Sequence, residues 1–304
     1  METINFQLKS GSDGLMLDLI KVIPDGEPKG IVQISHGMAE HKERYLPFMK
    51  FLGENGYVSI INDHRGHGKS LKSKDDRGYF YEEHAGFIVK DLYEINQYIR
   101  NEFPGIPLTL FGHSMGSLVV RKYAKFYDDT IDKLIVCGSP SENPASSVAL
   151  NLAKLIGKVK GDHHRSNLIN NMAFSAYRKG FDEPSPNNWL SSNQDNVEAY
   201  DACEDDGYVF TTNGFRNLFT LMIDAYDPKG WEVNNKDMPI LFIAGEFDPC
   251  IGSKEKWEKA QERMREIGYT DVKGVLFDGM RHEILQETNK QKVFDTVLDF
   301  LNKE

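Results

Sequence analysis

Apolar residues along this chain fall into short unbroken runs, and the stretches between several of those runs carry apolar residues at helical spacing. Residues 4–9 and 15–22 read as a hairpin-like start. The runs at 30–35, 58–61, 108–111, 133–137, 239–244 and 272–277 read as buried strands. A helix is expected from Tyr45 to Asn55, closed by Gly56, and another over 117–126. Strands that are apolar throughout and alternate with helices predict a mainly parallel sheet covered on both faces. The rhythm breaks after 133–137. From 139 to 237 no buried-strand run occurs, and Pro, Asn, Ser and Gly are frequent. The chain therefore divides into a core of residues 1–138 and 238–304 and a helical insertion of residues 139–237. Within the insertion, 147–159 places Val148, Leu152, Leu155, Ile156 and Val159 on one helical face and Asn151, Lys154 and Lys158 on the other. Such a stripe is expected to pack on the domain beneath. A second apolar segment, 210–226, holds Phe215, Leu218, Phe219, Leu221, Met222 and Ile223.

Gly112-His113-Ser114-Met115-Gly116 lies where the strand at 108–111 turns into the helix at 117–126, the context of a nucleophile elbow. The glycines suit a strained turn that holds the serine at the sheet edge, where a Cβ would crowd neighbouring backbone. A serine hydroxyl is a poor nucleophile unless a base takes its proton. The order serine, acid, histidine is available: Asp248 follows the strand at 239–244 and His282 follows the strand at 272–277. Glu246 competes with Asp248 for the acidic role, and an Asp before Pro249 is also an ordinary turn residue. His113, beside the serine, is expected to pack behind the elbow. Attack on a carbonyl also needs donors for the oxyanion. The strand at 30–35 ends in His36-Gly37-Met38, so the Met38 amide can face the elbow, with the Met115 amide at a helix N-terminus as its partner.

Taken together, His36-Gly37-Met38-Ala39-Glu40-His41-Lys42-Glu43-Arg44-Tyr45, Asp63-His64-Arg65-Gly66-His67-Gly68-Lys69-Ser70, the pentapeptide around Ser114, Asp248 and His282 closely resemble the monoglyceride lipase and lysophospholipase family of α/β-hydrolases, a group also labelled serine-aminopeptidase-like. The likeness covers nearly the whole chain. It implies an α/β-hydrolase fold: a mainly parallel eight-stranded sheet, helices on both faces, and residues 139–237 as a helical cap above the catalytic edge. It implies a serine ester hydrolase in which Ser114, His282 and Asp248 form the triad, the Met38 and Met115 amides hold the oxyanion, and no metal or organic cofactor is needed. The expected substrate is a small-molecule or single-chain lipid ester, a monoacylglycerol first, then lysophospholipids and small carboxylic esters. Phe215, Leu218, Phe219 and Met222 are candidates for the wall of an acyl site, a core helix being the plain alternative. The stripe at 147–159 could also guard that site or touch a lipid interface transiently. Bacterial members often follow Trp-Leu-Ser in the cap with Arg-Asp; here Trp189-Leu190-Ser191 continues as Ser192-Asn193. A peptidase gripping a free amine with Glu204, Asp205 and Asp206 is the alternative activity, and a ligand-binding protein on a non-catalytic hydrolase fold is the remote one.

Composition narrows the partners. With 304 residues the chain can bury a large core, and 40% apolar and 11% aromatic residues argue against disorder. A net charge of -10 disfavours nucleic acid and anionic membranes. The start of the chain has neither a basic region nor an apolar core, so no signal peptide is expected, and no run reaches membrane-spanning length. Three cysteines, Cys137, Cys203 and Cys250, lack the spacing of a disulfide framework and suit a reducing cytoplasm. Cys250 is expected to be buried and inert. The cluster from Asp63 to Ser70 is read as a hydrogen-bonded scaffold under the Met38 loop, and Glu40, His41 and Arg44 as residues that cap and open the helix at 45–55. Elsewhere no His or Cys pair has zinc spacing, so no metal site is expected. Oligomeric state is left open.

Overall fold

A computed structural model describes residues 1–181 and 184–303. The chain begins with an antiparallel hairpin of β1 (Glu2–Lys9) and β2 (Met16–Ile23). There follow β3 (Gly30–Ser35), α1 (Leu46–Glu54), β4 (Tyr57–Asn62), α2 (Phe87–Glu102), β5 (Leu108–His113), α3 (Met115–Tyr127) and β6 (Lys133–Cys137). Four helices are inserted next: α4 (Ser146–Lys160), α5 (Asn167–Phe174), α6 (Gln194–Ala202) and α7 (Thr212–Asp224). The chain returns through β7 (Ile240–Gly245), α8 (Lys254–Ile267), β8 (Val272–Phe277) and α9 (Gln291–Leu301). The eight strands form one sheet in the order β1-β2-β4-β3-β5-β6-β7-β8, parallel from β4 to β8, as expected of an α/β-hydrolase.

Every residue of β3, β4, β5 and β7 is buried, because helices cover both faces of the central strands. On one face Phe48, Met49 and Leu52 of α1 and Val293, Phe294 and Val297 of α9 pack on Ile34, Phe111 and Ile135. On the other face α2, α3 and α8 contribute Leu92, Val119 and Met264, continuous with Phe215 and Leu221 of α7.

Two sequence expectations are corrected here. Glu40, His41 and Arg44 do not cap α1: a short 3-10 turn, Lys42–Tyr45, leads into the helix, and neither start has a side-chain cap. Pro47 in the first turn lacks one of the N–H groups a cap would satisfy. The stripe on α4 is divided: Leu152 and Ile156 are half-buried and pack against the core, as expected, but the rest does not lie on the domain beneath. Val148, Leu155 and Val159 are 66%, 61% and 75% exposed, so they face water. Ser146, Ala153 and Gly157 are the buried positions of α4, and Gly157 packs against Thr212 of α7. Small residues on the seam let the helix axes approach, and this turns the larger side chains outward. Leu168 and Met172 of α5 are also exposed, so the insertion presents five large apolar side chains to water.

The segment 63–70 is a buried hydrogen-bonded scaffold, with Asp63 at its centre. This carboxylate accepts the N–H of Lys42 and of Lys69, each at 2.9 Å, and pairs with Lys42 Nζ at 2.7 Å. Lys42 is itself fully buried and also reaches Asp18 Oδ1 at 2.8 Å. Removing one partner of a buried ion pair strands the other charge. Lys42→Ala is therefore expected to lower the unfolding free energy by about 3–5 kcal/mol in urea titration; a loss under about 1 kcal/mol, the worth of a surface pair, would show that this scaffold does not depend on the lysine.

Candidate active site

The turn after β5 sets the geometry of the site. Ser114 adopts φ 53° and ψ -119°, a left-handed backbone that costs a non-glycine residue about 1–3 kcal/mol. The surrounding contacts enforce it. Ser114 N–H donates to Cys137 O at 2.9 Å, and Ser117 N–H donates to Ser114 O at 2.9 Å. A Cβ on Gly112 would lie 2.4 Å from Gly116 O, and one on Gly116 would lie 2.1 Å from Ser35 O. No side chain fits between β3, β5 and α3 at this point.

Because β6, β7 and β8 lie side by side and parallel, the loops after their C-terminal ends emerge next to the turn. Asp248 opens the 3-10 turn after β7, where its Oδ1 accepts Cys250 N–H at 2.8 Å. His282 lies in the loop after β8. Its Nδ1 is 2.9 Å from both Asp248 oxygens and its Nε2 is 2.9 Å from Ser114 Oγ. A carboxylate cannot donate, so Nδ1 carries the proton and Nε2 is free to accept the serine hydroxyl. Asp248 and His282 are buried and Ser114 is half-buried. Burial disfavours the imidazolium, but the Asp248 charge and hydrogen bonds outweigh it and raise the His282 pKa above 6.5. Glu246, the competing acid, is exposed and accepts Gly279 N–H at 3.3 Å instead. His113 packs behind the elbow as expected, its Nε2–H donating to His282 O at 3.2 Å.

Met38 and Met115 both border the cavity at Ser114. Met115 is the first residue of α3, whose leading N–H groups have no partner within the helix. The loop bearing Met38 crosses the elbow so closely that a Cβ on Gly37 would lie 2.6 Å from Glu40 Oε1 and 3.2 Å from Ser114 Cβ. Glu40 holds that loop. Buried, it accepts Gly37 N–H, Tyr45 OH at 2.9 Å and Arg44 Nη1 at 2.9 Å. Arg44 then forms a two-pronged pair with Glu283, at 2.7 and 2.6 Å. The loops of Gly37 and His282 are thus joined by one guanidinium. Sequence reasoning missed this tie; the only local signal was Glu40 and Arg44 at i, i+4.

The cavity over Ser114 has a volume of about 230 Å³ and is mostly apolar. Leu218, Phe219 and Met222 line it, with Leu152, Ile169 and Phe174 from α4 and α5. Phe215 does not reach it, contrary to expectation. One turn earlier on α7, it stacks on Phe219 and meets Phe210, with ring centroids 6.0 Å away in each case, inside the core. Trp189 adds a wall that sequence reasoning did not assign, its ring 5.1 Å from that of His282. The Trp189-Leu-Ser-Ser-Asn stretch is anchored by the residues around His282: Glu283 N–H donates to Leu190 O at 2.7 Å, Arg281 Nη1 to Ser191 O at 3.0 Å, and Ser192 N–H to Glu287 Oε1 at 2.9 Å. Asp205 and Asp206 are already paired, the first with Arg77 at 2.6 Å and the second with His41 at 2.9 Å.

The sequence profile of the family described as "Serine aminopeptidase, S33" matches residues 26–289. The chain is 24% identical over 284 residues to the monoacylglycerol lipase of Mycolicibacterium smegmatis, covering 91% of this chain and 90% of that one. It is 26% identical over 296 residues to the monoglyceride lipase of Saccharomyces cerevisiae, covering 90% and 83%. The crystal structure of a thermostable carboxyl esterase from Bacillus coagulans superposes with a TM-score of 0.91 at 24% identity, covering 99% of this chain and 98% of that one, which establishes a shared fold.

Three other buried histidines contrast with His282. Burial first, then the charge of neighbouring imidazoles, pulls His36 and His67 down to about 3 and His64 well below 6.5. Histidine-resolved NMR titration is expected to show His282 gaining its proton above pH 6.5 while His36 and His67 stay neutral to about pH 3. The signs differ for stability. The raised His282 contributes stability that is present below pH 6.5 and lost as pH rises through its folded pKa. The depressed trio makes the unfolded chain bind more protons, so it removes stability as pH falls from 6.5 toward 3. Titration of His36 or His67 near 6.5 in the folded protein would contradict this.

Proposed function

Because the chain belongs to the serine aminopeptidase S33 family and is a monoacylglycerol lipase- and esterase-like hydrolase of the serine class, we propose that Ser114, His282 and Asp248 hydrolyse a single-chain lipid ester, a monoacylglycerol first, through an acyl-enzyme. The observation that carries this reading is the unbroken line from Ser114 Oγ through His282 Nε2 and Nδ1 to Asp248.

Ser114 Oγ attacks the ester carbonyl as His282 Nε2 takes its proton. Asp248 orients the ring and stabilises the imidazolium, and the amides of Met38 and Met115 receive the oxyanion. Each such donor is worth about 3 kcal/mol in the transition state. The tetrahedral intermediate collapses, His282 gives its proton to the leaving alkoxide oxygen, and the alcohol departs. Water then attacks the acyl-serine, with His282 taking its proton and returning it to Ser114. No step calls for a metal or an organic cofactor.

Residues 139–237 act in this reading as a cap over a core of 1–138 and 238–304, with Leu218, Phe219 and Met222 along the acyl chain. The cavity is somewhat smaller than the usual ligand site of about 300–1,000 Å³, which favours one chain over two. The exposed apolar side chains of α4 and α5 meet a lipid surface transiently while the substrate is taken up. No helix among the described residues is long and apolar enough to cross a membrane, and cytoplasmic placement, suited to unpaired Cys137 and Cys250, is part of the proposal. The peptidase alternative loses support because two of its three acids are engaged in ion pairs.

Ser114→Ala is expected to abolish fluorophosphonate labelling and ester hydrolysis while the circular dichroism spectrum stays unchanged, and a profile over acyl chains of increasing length should favour long monoacylglycerols over aminoacyl-naphthylamides. Labelling that persists at another serine, or faster cleavage of the aminoacyl compounds, overturns the reading. Asp248→Asn should lower kcat by about 10⁴, as in the protease template, and move the acidic limb of kcat/KM to lower pH by removing the charge that raises His282. A loss of only a few-fold, with Glu246→Gln severe, would transfer the acidic role to Glu246.

A further inference from the structure

Two groups of three potential metal ligands come together among the described residues. One is Asp248, Cys250 and His282, already engaged at Ser114. The other is His41, Cys203 and Asp206, in which one donor atom from each side chain lies within 4.8 Å of the other two. His41 and Asp206 are 165 positions apart, so no local spacing announces the group. The geometry points to a zinc site formed by His41, Cys203 and Asp206 that fastens the inserted helices to the loop carrying Met38.

The donor set is the first support. Thiolate, imidazole and carboxylate are the zinc ligands, at about 2.3, 2.0 and 2.0 Å, and a tetrahedral ion holding them would set them about 3.3–3.6 Å apart. His41 Nδ1 and Asp206 Oδ1 are now 2.9 Å apart, so the ion needs side-chain shifts of about an ångström and no refolding.

Preorganisation is the second. Cys203 and Asp206 stand on one tight turn after α6, where Asp206 N–H donates to Cys203 O at 3.2 Å. The opposing loop is already bound to this segment, since Ala39 O accepts Gly207 N–H at 2.9 Å and Tyr200 OH at 3.2 Å. The ion would join backbones that are in register without it.

Charge and access are the third. Asp206 is buried and meets His41 at 2.9 Å and Arg44 at 3.8 Å; Arg44 is shared with Glu40 and Glu283, and His41 would turn from partner of the carboxylate to fellow ligand of the ion. Arg77 is engaged by Asp205. His41 and Cys203 are half-buried, so the group is open to solvent. Soft sulfur beside imidazole selects zinc over magnesium or calcium. Binding releases the Cys203 thiol proton, and the proton of any charged His41, to solvent, so affinity rises with pH.

This inference does not rest on the role proposed for Ser114, and its test reads binding directly. The full-length protein, stripped with chelator, is titrated with zinc against a chromophoric chelator and with cobalt to reveal thiolate-to-metal absorption. One equivalent is expected at micromolar affinity or tighter. Cys203→Ser should weaken binding by at least about tenfold and remove the thiolate band, His41→Gln should weaken it similarly, and Cys250→Ser should leave both intact. Near-ultraviolet circular dichroism verifies each fold, with His41→Gln carrying the test if Cys203→Ser does not fold. Absence of micromolar binding, binding unchanged in both Cys203→Ser and His41→Gln, or binding lost in Cys250→Ser overturns the site.

Discussion

Parallel pairing of β3, β5, β6, β7 and β8 is the constraint from which the rest follows, because it delivers the C-terminal ends of neighbouring strands to one edge of the sheet. Residues far apart in the chain, Ser114, Asp248 and His282, then need only short loops to meet. Matched by that of β7 to the His282 loop at Gly245, the approach of α3 to β3 at Gly116 is one of the tightest points of this arrangement. It keeps Ser114 in a backbone conformation that an unconstrained serine would leave.

A second layer of control is electrostatic. Glu40 and Glu283 are buried and the Arg44 side chain is only 9% exposed, and each would be costly to desolvate alone. Together they satisfy one another and couple the Gly37 loop to the residue beside His282. An apolar substitute could fill the same volume, but it could not take Gly37 N–H and Tyr45 OH on one side and Glu283 on the other. The buried charges are therefore better understood as setting loop position than as adding stability.

Much of this was legible in the sequence. Strand runs, the turn around Ser114 and the order of serine, acid and histidine are local patterns, and the sheet carried them to the expected places. Of the two acids, Asp248 faces His282 and Glu246 faces Gly279, since position in the loop decides which carboxylate points inward. Phe215 was not legible: four residues from Phe219 on the same helix, it shares a face by periodicity but lies one turn too early to clear the core. The stripe on α4 misled at Val148, Leu155 and Val159 for a related reason. Amphipathic spacing says which side chains align, and Ala153 and Gly157 decided which side of the helix would be covered. Arg44 and His41 were misread as helix openers because their partners, Glu283 and Asp206, lie 239 and 165 positions away.

The cavity draws its reactive floor from core loops, and its walls from α4, α5 and α7 and the stretch around Trp189. Under the proposed function, the reacting residues and most of the apolar walls thus come from separate stretches of the chain, so substitutions in the inserted helices would alter which esters fit and leave Ser114, His282 and Asp248 in place.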